Sequence, residues 1–336
     1  MKMSKTDDRP PVLVVGGAGY VGSHTVWALH DAGIRAIVLD NLSTGDRRLL
    51  PPDVPVVVAQ AGDRSVIRRV LADQGCDVVV HLAASILAGE SVTDPSPYFA
   101  NNCGSIIGVL AACLDAGLRN FVYSSTAAVY GEPIAQPISE DAALAPINPY
   151  GQTKLAGEWM IHDMARLGAM RSVVLRYFNV AGADPEGRTG PIAKNPTHLV
   201  RRACQAAVGT RPVLEVYGTD YPTPDGTCIR DYVHASDIAD AHVAALRHLR
   251  SGGESLVVNC GYGRGASVRE VLAAVEAEAG LRLQVRDAPR RPGDPSRLVA
   301  DTARIRRVLG WTPRFDDLNR IVRTGLDWER RLTNRA

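Results

Sequence analysis

The sequence predicts an α/β protein with a Rossmann-like, doubly wound parallel sheet and a smaller C-terminal α/β substrate-binding domain. Short apolar runs rich in branched residues alternate with segments of helical periodicity. Continuous apolar runs of this kind are typical of strands buried on both faces, as in parallel sheets. The runs are Val12–Val15, Ala36–Leu39, Val56–Ala59, Val78–Leu82, Phe121–Ser124 and Ser172–Arg176.

The alternating pattern stops after Gly182, where glycine, proline and charged residues take over. Such a segment is typical of a loop that leaves the sheet. We therefore expect a cofactor-binding Rossmann domain at 11–182 and a substrate-binding domain at 183–336. A further buried run, Leu256–Asn259, indicates that the chain returns to the first domain around 228–262.

Composition and charge argue against several classes of function. The chain has 336 residues with 38 Lys+Arg against 36 Asp+Glu and no long block of one sign, so we expect no nucleic-acid partner. No apolar stretch approaches the roughly 18 residues of a membrane span, and the polar start lacks the apolar run of a signal peptide. The six cysteines are scattered without metal-ligand spacing. We expect a cytoplasmic protein without membrane or metal.

A glycine loop follows the first predicted strand. Gly16, Gly19 and Gly22 recur at three-residue steps and lead into a segment compatible with a helix. Without Cβ atoms the backbone can approach a pyrophosphate, whose charge is stabilised by free amides at the helix N-terminus. A tight turn without ligand is the alternative. The strand before and the helix after favour a dinucleotide site that includes Tyr20 and Val21.

The second predicted strand ends at Asp40. A carboxylate there can accept hydrogen bonds from both adenosine ribose hydroxyls and would repel a 2′-phosphate, which favours NAD over NADP. A solvated aspartate that caps the next turn is the alternative. Asp63, after the third strand, is open between an adenine contact and a helix N-cap. Small polar groups continue the ribose site at Asn41, Ser43, Thr44 and Gly45.

Tyr150 and Lys154, four residues apart, point to proton-transfer chemistry because residues at this spacing share a helix face. A free phenol has a pKa of about 10, and a nearby ammonium together with the positive nicotinamide ring of NAD⁺ lowers it toward working pH. Thr126, at the end of the fifth strand, supplies a hydroxyl that can relay a proton. The four-residue pattern alone is more typical of a surface helix. Its place after the nucleotide loop and the Ser-Ser-Thr strand end favours catalysis.

These motifs resemble those of the extended short-chain dehydrogenase/reductase superfamily, whose catalytic residues match Thr126, Tyr150 and Lys154. Longer strings resemble its UDP-glucose 4-epimerase family from Val12 to about Pro313, namely residues 16–25, 40–45, 176–179 and 218–234. The resemblance implies NAD as cofactor and a UDP-sugar as substrate. It adds to the cofactor site Arg64, Leu82, Ala83, Ala84, Asn102 and Phe178. It implies a substrate site of Thr126, Tyr150, Asn179, His198, Leu199, Tyr217, Arg230, Arg291 and Asp294.

Within this implied site, Arg230 and Arg291 would hold the diphosphate, because guanidinium forks bind phosphate oxygens in bidentate fashion. Surface salt bridging is the alternative for each arginine. Asp294 would face the nucleoside ribose. His198 stands where many relatives have an asparagine, and Leu298 at a family position related to acceptance of N-acetyl sugars. Ala127 and Ala128 replace the acidic residues of related dehydratases, so elimination chemistry is unsupported.

The expected reaction is NAD-dependent interconversion of UDP-glucose and UDP-galactose by transient oxidation at C4, turning of the 4-ketosugar and re-reduction. Another UDP-sugar (UDP-GlcNAc/GalNAc, UDP-xylose/arabinose or UDP-glucuronate) stays open as substrate, because few groups read the C5 substituent. An idle NAD-sensing regulator is disfavoured because the three catalytic residues are intact. Helices predicted at 101–117 and 149–168 resemble those that pair in dimers of the superfamily, so we expect a homodimer.

Overall fold

The computed structural model describes residues 9–193, 196–211, 213–291 and 293–334. Its strands are β1 (Val12–Val15), β2 (Ala36–Asp40), β3 (Val56–Val58), β4 (Val78–His81), β5 (Asn120–Thr126), β6 (Arg171–Tyr177), β7 (Asn179–Ala181), β8 (Leu214–Tyr217), β9 (Ile229–Arg230), β10 (Tyr232–His234), β11 (Leu256–Cys260), β12 (Ala266–Ser267), β13 (Val285–Ala288) and β14 (Arg297–Leu298). Its α-helices are α1 (Tyr20–Asp31), α2 (Arg64–Gln74), α3 (Ala88–Thr93), α4 (Ser96–Tyr98), α5 (Gly104–Asp115), α6 (Pro149–Arg166), α7 (Leu199–Ala207), α8 (Ala235–Arg250), α9 (Val268–Ala279), α10 (Ala303–Leu309) and α11 (Leu318–Thr333).

Seven strands form a parallel sheet in the order β11-β6-β5-β4-β1-β2-β3. Each of the six predicted runs supplies one of these strands, and the run at Leu256 supplies the seventh by pairing with β6. The order reverses between β1 and β4, which is the switch point at which doubly wound sheets bind ligands. The Rossmann-like fold class is confirmed.

Both faces of the sheet are buried, which is why its strands are continuously apolar. Val12 and Val14 of β1 point into one core layer, whereas Leu13 and Val15 point into the other. Helices α1 and α8 cover the first face, and α2, α5 and α6 cover the second. The sheet is thus the middle of three layers, and because its strands are parallel their carboxyl ends lie at one edge.

Beyond β7 the chain divides its elements between the large sheet and smaller ones. Helix α8 packs on α1, and β11 extends the large sheet, whereas β8 pairs with β13 and β9 with β12 and β14. Domain boundaries at 183 and around 228–262 remain our proposal.

One stretch, Ser96–Asp115, is long and apolar enough by length and composition to cross a membrane, with 44% of its most apolar window buried. The polar residues Asn101, Asn102 and Ser105 interrupt the apolar residues of this stretch. In the structure Ile106 and Leu110 of this stretch pack in the core beneath the sheet. Buried core helices of soluble proteins meet the same criterion.

Candidate active site

A cavity of about 420 Å³ opens at the carboxyl ends of β1, β4, β5 and β6. Because parallel strands end at one edge, residues far apart in sequence meet there. The predicted site residues that line it are Gly16, Gly19, Tyr20, Val21, Gly22, Asp40, Asn41, Ser43, Thr44, Leu82, Ala83, Ala84, Thr126, Tyr150, Lys154, Phe178, Asn179, His198, Arg230 and Asp294.

The glycine loop is packed so closely that side chains cannot be added. Gly16 has φ of +83°, and a Cβ there would lie 2.4 Å from the backbone nitrogen of Ala83. A Cβ on Gly22 would lie 2.1 Å from the carbonyl oxygen of Gly16. Among the described residues no side chain caps α1 at Gly19, so its first amides are available to phosphate oxygens. The loop therefore fits the pyrophosphate of NAD.

The Gly16→Ala substitution should therefore prevent most NAD from binding. The new methyl group collides with backbone and not with a movable side chain, so the loop must shift away from its position beside Ala83. We expect purified Gly16→Ala protein to carry less than about a tenth of the wild-type NAD, measured by absorbance after denaturation.

Gly75→Ala is the matched control, because Gly75 also has positive φ, +64°, but nothing lies within 4 Å of its added Cβ. This variant should lose about 1 kcal/mol of stability and retain its NAD. Equal NAD content in the two variants would contradict the role given to Gly16.

Asp40 holds the loop and faces the cavity at the same time. Its carboxylate accepts hydrogen bonds from the amides of Ala18 (2.9 Å) and Leu42 (2.8 Å). The bond from Leu42 is the capping contact of the alternative, although Asp40 is buried and not solvated. This contact does not exclude a ribose, because each carboxylate oxygen has a further lone pair. Gly45 does not line the cavity. A Cβ at Gly45 would lie 2.7 Å from the carbonyl of Ala18, so Gly45 packs directly against the glycine loop.

Besides Gly45, three predicted cofactor residues lie outside the cavity wall. Asp63 caps α2, accepting hydrogen bonds from the amides of Ser65 and Val66 at 3.1 Å each, so the N-cap alternative describes its contacts. Arg64 forms an exposed ion pair with Asp115 at 2.7 Å.

Asn102 is the third of these residues, and its amide group is fully engaged in the fold. It accepts from Ser85 N (2.7 Å) and donates to the Thr153 hydroxyl (2.9 Å). Its neighbour Asn101 lines the cavity instead. Both residues lie in a π-helical turn at Phe99–Cys103, whose register differs from that of an α-helix.

Three predicted substrate residues also lie outside the wall of the main cavity. The guanidinium carbon of Arg291 lies 3.8 Å from the ring centroid of Tyr217, and neither residue lines the main cavity. Leu199 lines an adjoining cavity of about 30 Å³, which it shares with His198 and Asn179.

The predicted proton-transfer residues converge from two elements. Asn148 caps α6 by accepting from Gly151 N (2.9 Å), and Ser91 accepts from Tyr150 N (3.1 Å), so the helix start is fixed. Tyr150 and Lys154 line the cavity one turn apart. Thr126 ends β5 and lines the same cavity, where its hydroxyl acts on the Tyr150 phenol.

Electrostatics at this pair differ from the sequence-based expectation. Burial raises the pKa of Tyr150, and the Thr126 hydroxyl acts in the lowering direction. Burial also lowers the pKa of Lys154 to about 7, against the opposing charge of Glu158. Desolvation disfavours both charged forms, so the lysine alone does not produce a phenolate. A positively charged ligand beside the phenol would favour it.

Several residues of the cavity wall were not predicted, among them Ser124, Ser125, Tyr177, Gln60 and Ile147. Ser124, Ser125 and Tyr177 stand at the carboxyl ends of β5 and β6, so the strand-end rule could have found them. Nothing in the sequence marks Ile147. Within the described ranges, no group of three or more His, Cys, Asp or Glu residues could hold a metal ion.

Comparison with known proteins gives a family and close relatives. Residues 12–261 match the model of the NAD dependent epimerase/dehydratase family. A UDP-glucose 4-epimerase of Azospirillum brasilense is 55% identical over 98% of this chain and 94% of its own length.

Solved structures show the same fold. A UDP-glucose 4-epimerase from Brucella ovis in complex with NAD is 44% identical, with a TM-score of 0.92 over 95% of this chain and 98% of that one. One from Stenotrophomonas maltophila, with bound NAD and formylated UDP-arabinopyranose, is 37% identical, with a TM-score of 0.94 over 98% of this chain and 100% of that one.

Proposed function

The chain belongs to the NAD-dependent epimerase/dehydratase family, and on this premise we propose that it is an isomerase that interconverts UDP-glucose and UDP-galactose. The observation that carries the proposal is the position of Tyr150, Lys154 and Thr126 in the wall of the glycine-loop cavity. A proton-transfer pair beside a dinucleotide site is what reversible oxidation of an alcohol requires.

In this mechanism Tyr150, as phenolate, removes the proton of the sugar 4-hydroxyl directly or through Thr126, and later returns it. Bound NAD supplies the redox chemistry, oxidising C4 and then reducing it, with no net redox change. Between these steps the 4-ketosugar turns about its diphosphate linkage and presents its other face. The chain must therefore hold the uridine diphosphate firmly and the hexose loosely.

Arg230 is our candidate for holding the diphosphate. It is buried in the cavity wall and donates to the carbonyls of Ile229 (2.8 Å) and Pro295 (2.6 Å), which fix the guanidinium plane. It also pairs with Asp294, which we assign to the ribose. Arg291 stays in the proposal as a second phosphate ligand, and it must leave the Tyr217 ring to reach the cavity.

The activity is tested by incubating purified protein with UDP-galactose without added NAD. We expect UDP-glucose to form, because a cofactor with no net redox change can stay bound through turnover. Absence of any 4-epimer, even with NAD supplied, would overturn the proposal.

A 4-epimerase of another UDP-sugar is the second candidate, favoured by the UDP-arabinopyranose derivative bound in the Stenotrophomonas maltophila relative. Parallel incubations with UDP-N-acetylgalactosamine, UDP-xylose and UDP-glucuronate rank the substrates by kcat/KM. Leu298 and His198 line the cavity that would hold the sugar. Substitution of either residue should therefore change the ranking of the substrates by kcat/KM.

We further propose a homodimer formed through α5 and α6. Both helices lie on the same face of the sheet, and their outer surfaces expose large apolar side chains. Trp159 is 61% exposed and Ile107 56% exposed, with Leu114 nearby on α5 at 40%. Exposed apolar clusters of this kind mark interaction surfaces.

Trp159→Glu should convert the dimer to monomers, because a carboxylate in the centre of an apolar interface cannot be desolvated cheaply. We expect the dissociation constant to rise by roughly 100-fold or more, measured by sedimentation equilibrium. Ile134→Glu is the control, since Ile134 is a fully exposed apolar residue in the loop after β5 and outside both helices. A Trp159→Glu dimer as tight as wild type would exclude this surface.

A cytoplasmic location completes the proposal. All six cysteines are free thiols in the structure, as is usual in a reducing compartment.

A further inference from the structure

A buried ion pair lies directly behind the proton-transfer residues. Glu158, one helical turn beyond Lys154 on α6, accepts from Arg176 Nε (3.0 Å) and Nη2 (2.6 Å) of β6. The side chains are only 6% and 5% exposed. A bidentate pair in such a dry setting has fixed geometry, because no water competes for its hydrogen bonds.

The same carboxylate reaches the catalytic strand. The Ser125 hydroxyl donates to Oε1 of Glu158, and Ser125 immediately precedes Thr126. Arg176 in turn donates from Nη1 to Tyr130 (2.9 Å), just beyond the end of β5. One side chain of α6 thereby connects that helix to the end of β5 and to β6.

Glu158 is also the carboxylate that follows Lys154 on the same face of α6, four residues later. Of the other groups that face Lys154, Tyr150 lies on the same helix and Tyr123 of β5 has its ring centroid 4.8 Å from Nζ. His81 of β4 stacks on Tyr123, and burial lowers its pKa to about 3, so it is neutral at working pH. Burial raises the pKa of Tyr123 well above its usual range. Glu158 therefore supplies the negative charge that opposes desolvation of Lys154.

We propose that Glu158 is a positioning residue for the epimerase reaction: it fixes Thr126 against Tyr150 through Ser125, and it maintains the positive charge of Lys154. The inference rests on the proposed function. It assigns to this ion pair a role in catalysis in addition to its role in the core.

The test compares two buried ion pairs. Glu158→Gln removes one charge behind the active site, and Glu329→Gln removes one from the Arg201–Glu329 pair (2.7 Å) between α7 and α11, with similar burial. Both variants should lose stability, because each leaves a buried arginine without its counterion. Assayed below both unfolding midpoints, Glu158→Gln should lose about tenfold or more in kcat with KM for UDP-galactose nearly unchanged, and Glu329→Gln should keep wild-type kcat.

The pH profile separates positioning from general destabilisation. Without the Glu158 charge, Lys154 gives up its proton more readily, so the decline of kcat at high pH should begin at lower pH in Glu158→Gln only. A kcat and a pH profile indistinguishable from those of Glu329→Gln would overturn the inference while leaving a wild-type epimerase activity intact. An inactive wild-type protein would instead overturn the proposed function.

Ser125 offers a milder probe that does not unpair Arg176. Ser125→Ala should lower kcat, and Ser125→Thr should restore it, because threonine keeps the hydroxyl. If Ser125 acts by placing Thr126, the Ser125→Ala loss should vanish in a Thr126→Val background. Additive losses in the double variant would contradict the proposed connection.

Discussion

Tyr150→Phe should lower kcat for UDP-galactose by about 10³-fold while the protein keeps its fold and its NAD. The change removes one oxygen, the phenol oxygen that shares the cavity wall with the Thr126 hydroxyl. The ring remains to fill the same space, and the hydrogen bonds that hold the start of α6 come from its backbone and from Asn148. The measurements are steady-state kcat, NAD content after denaturation and circular dichroism.

Tyr262→Phe is the matched control for this variant. Tyr262 is also a buried tyrosine, and its hydroxyl donates to Asp237 (2.5 Å) and accepts from His234 N (3.0 Å), away from the cavity wall. Its loss should cost about 1–3 kcal/mol of stability and leave kcat unchanged. If Tyr150→Phe kept kcat within about tenfold of wild type, below the usual effect of a general base, another group would have to be the base.

Lys154→Met has the second largest expected effect, a loss of about 10²-fold in kcat near neutral pH. Methionine matches the length of the lysine chain and is apolar, so the buried site stays filled. The substitution removes the cation that, in the proposed mechanism, favours the Tyr150 phenolate in the complex with substrate. The variant should regain activity as pH rises, because the phenol then ionises without help.

The pH dependence of wild type provides the comparison. Burial lowers the pKa of Lys154 to about 7, so its charge is present below that value and is lost as pH rises through it. Bound ligands will move this value, but the direction of the effect on kcat stays the same. We expect a declining limb at high pH in wild type and a rising limb in Lys154→Met. Parallel profiles for the two proteins would show that the charge of Lys154 does not act on Tyr150.

Backbone-determined features of the site could be predicted from sequence. Gly16 and Gly22 occupy positions where a Cβ meets backbone, and Asp40 ends a strand at the edge where all parallel strands end. Tyr150 and Lys154 share a face for the same reason that any residues four apart do on a helix. These relations depend on the periodicity of a helix and on the common direction of the strands. Both can be recognised from the composition and spacing of residues in the sequence.

Features that depend on side-chain direction could not be predicted in this way. Asn101 faces the cavity and Asn102 faces the fold, and both lie in a π-helical turn that the sequence does not mark. Asp63 is engaged as an N-cap, and Arg291 lies over the Tyr217 ring, although each is a plausible ligand by residue type.

By itself, the sequence determined the sheet and the cofactor loop, and it singled out Tyr150 and Lys154 as the proposed proton-transfer pair. The tertiary structure alone decided the charge balance around that pair. Desolvation raises the pKa of Tyr150 and lowers that of Lys154, and Glu158 opposes the second effect from a position buried with Arg176. Burial depends on everything that packs around a group, so the spacing of two residues along a chain cannot reveal it.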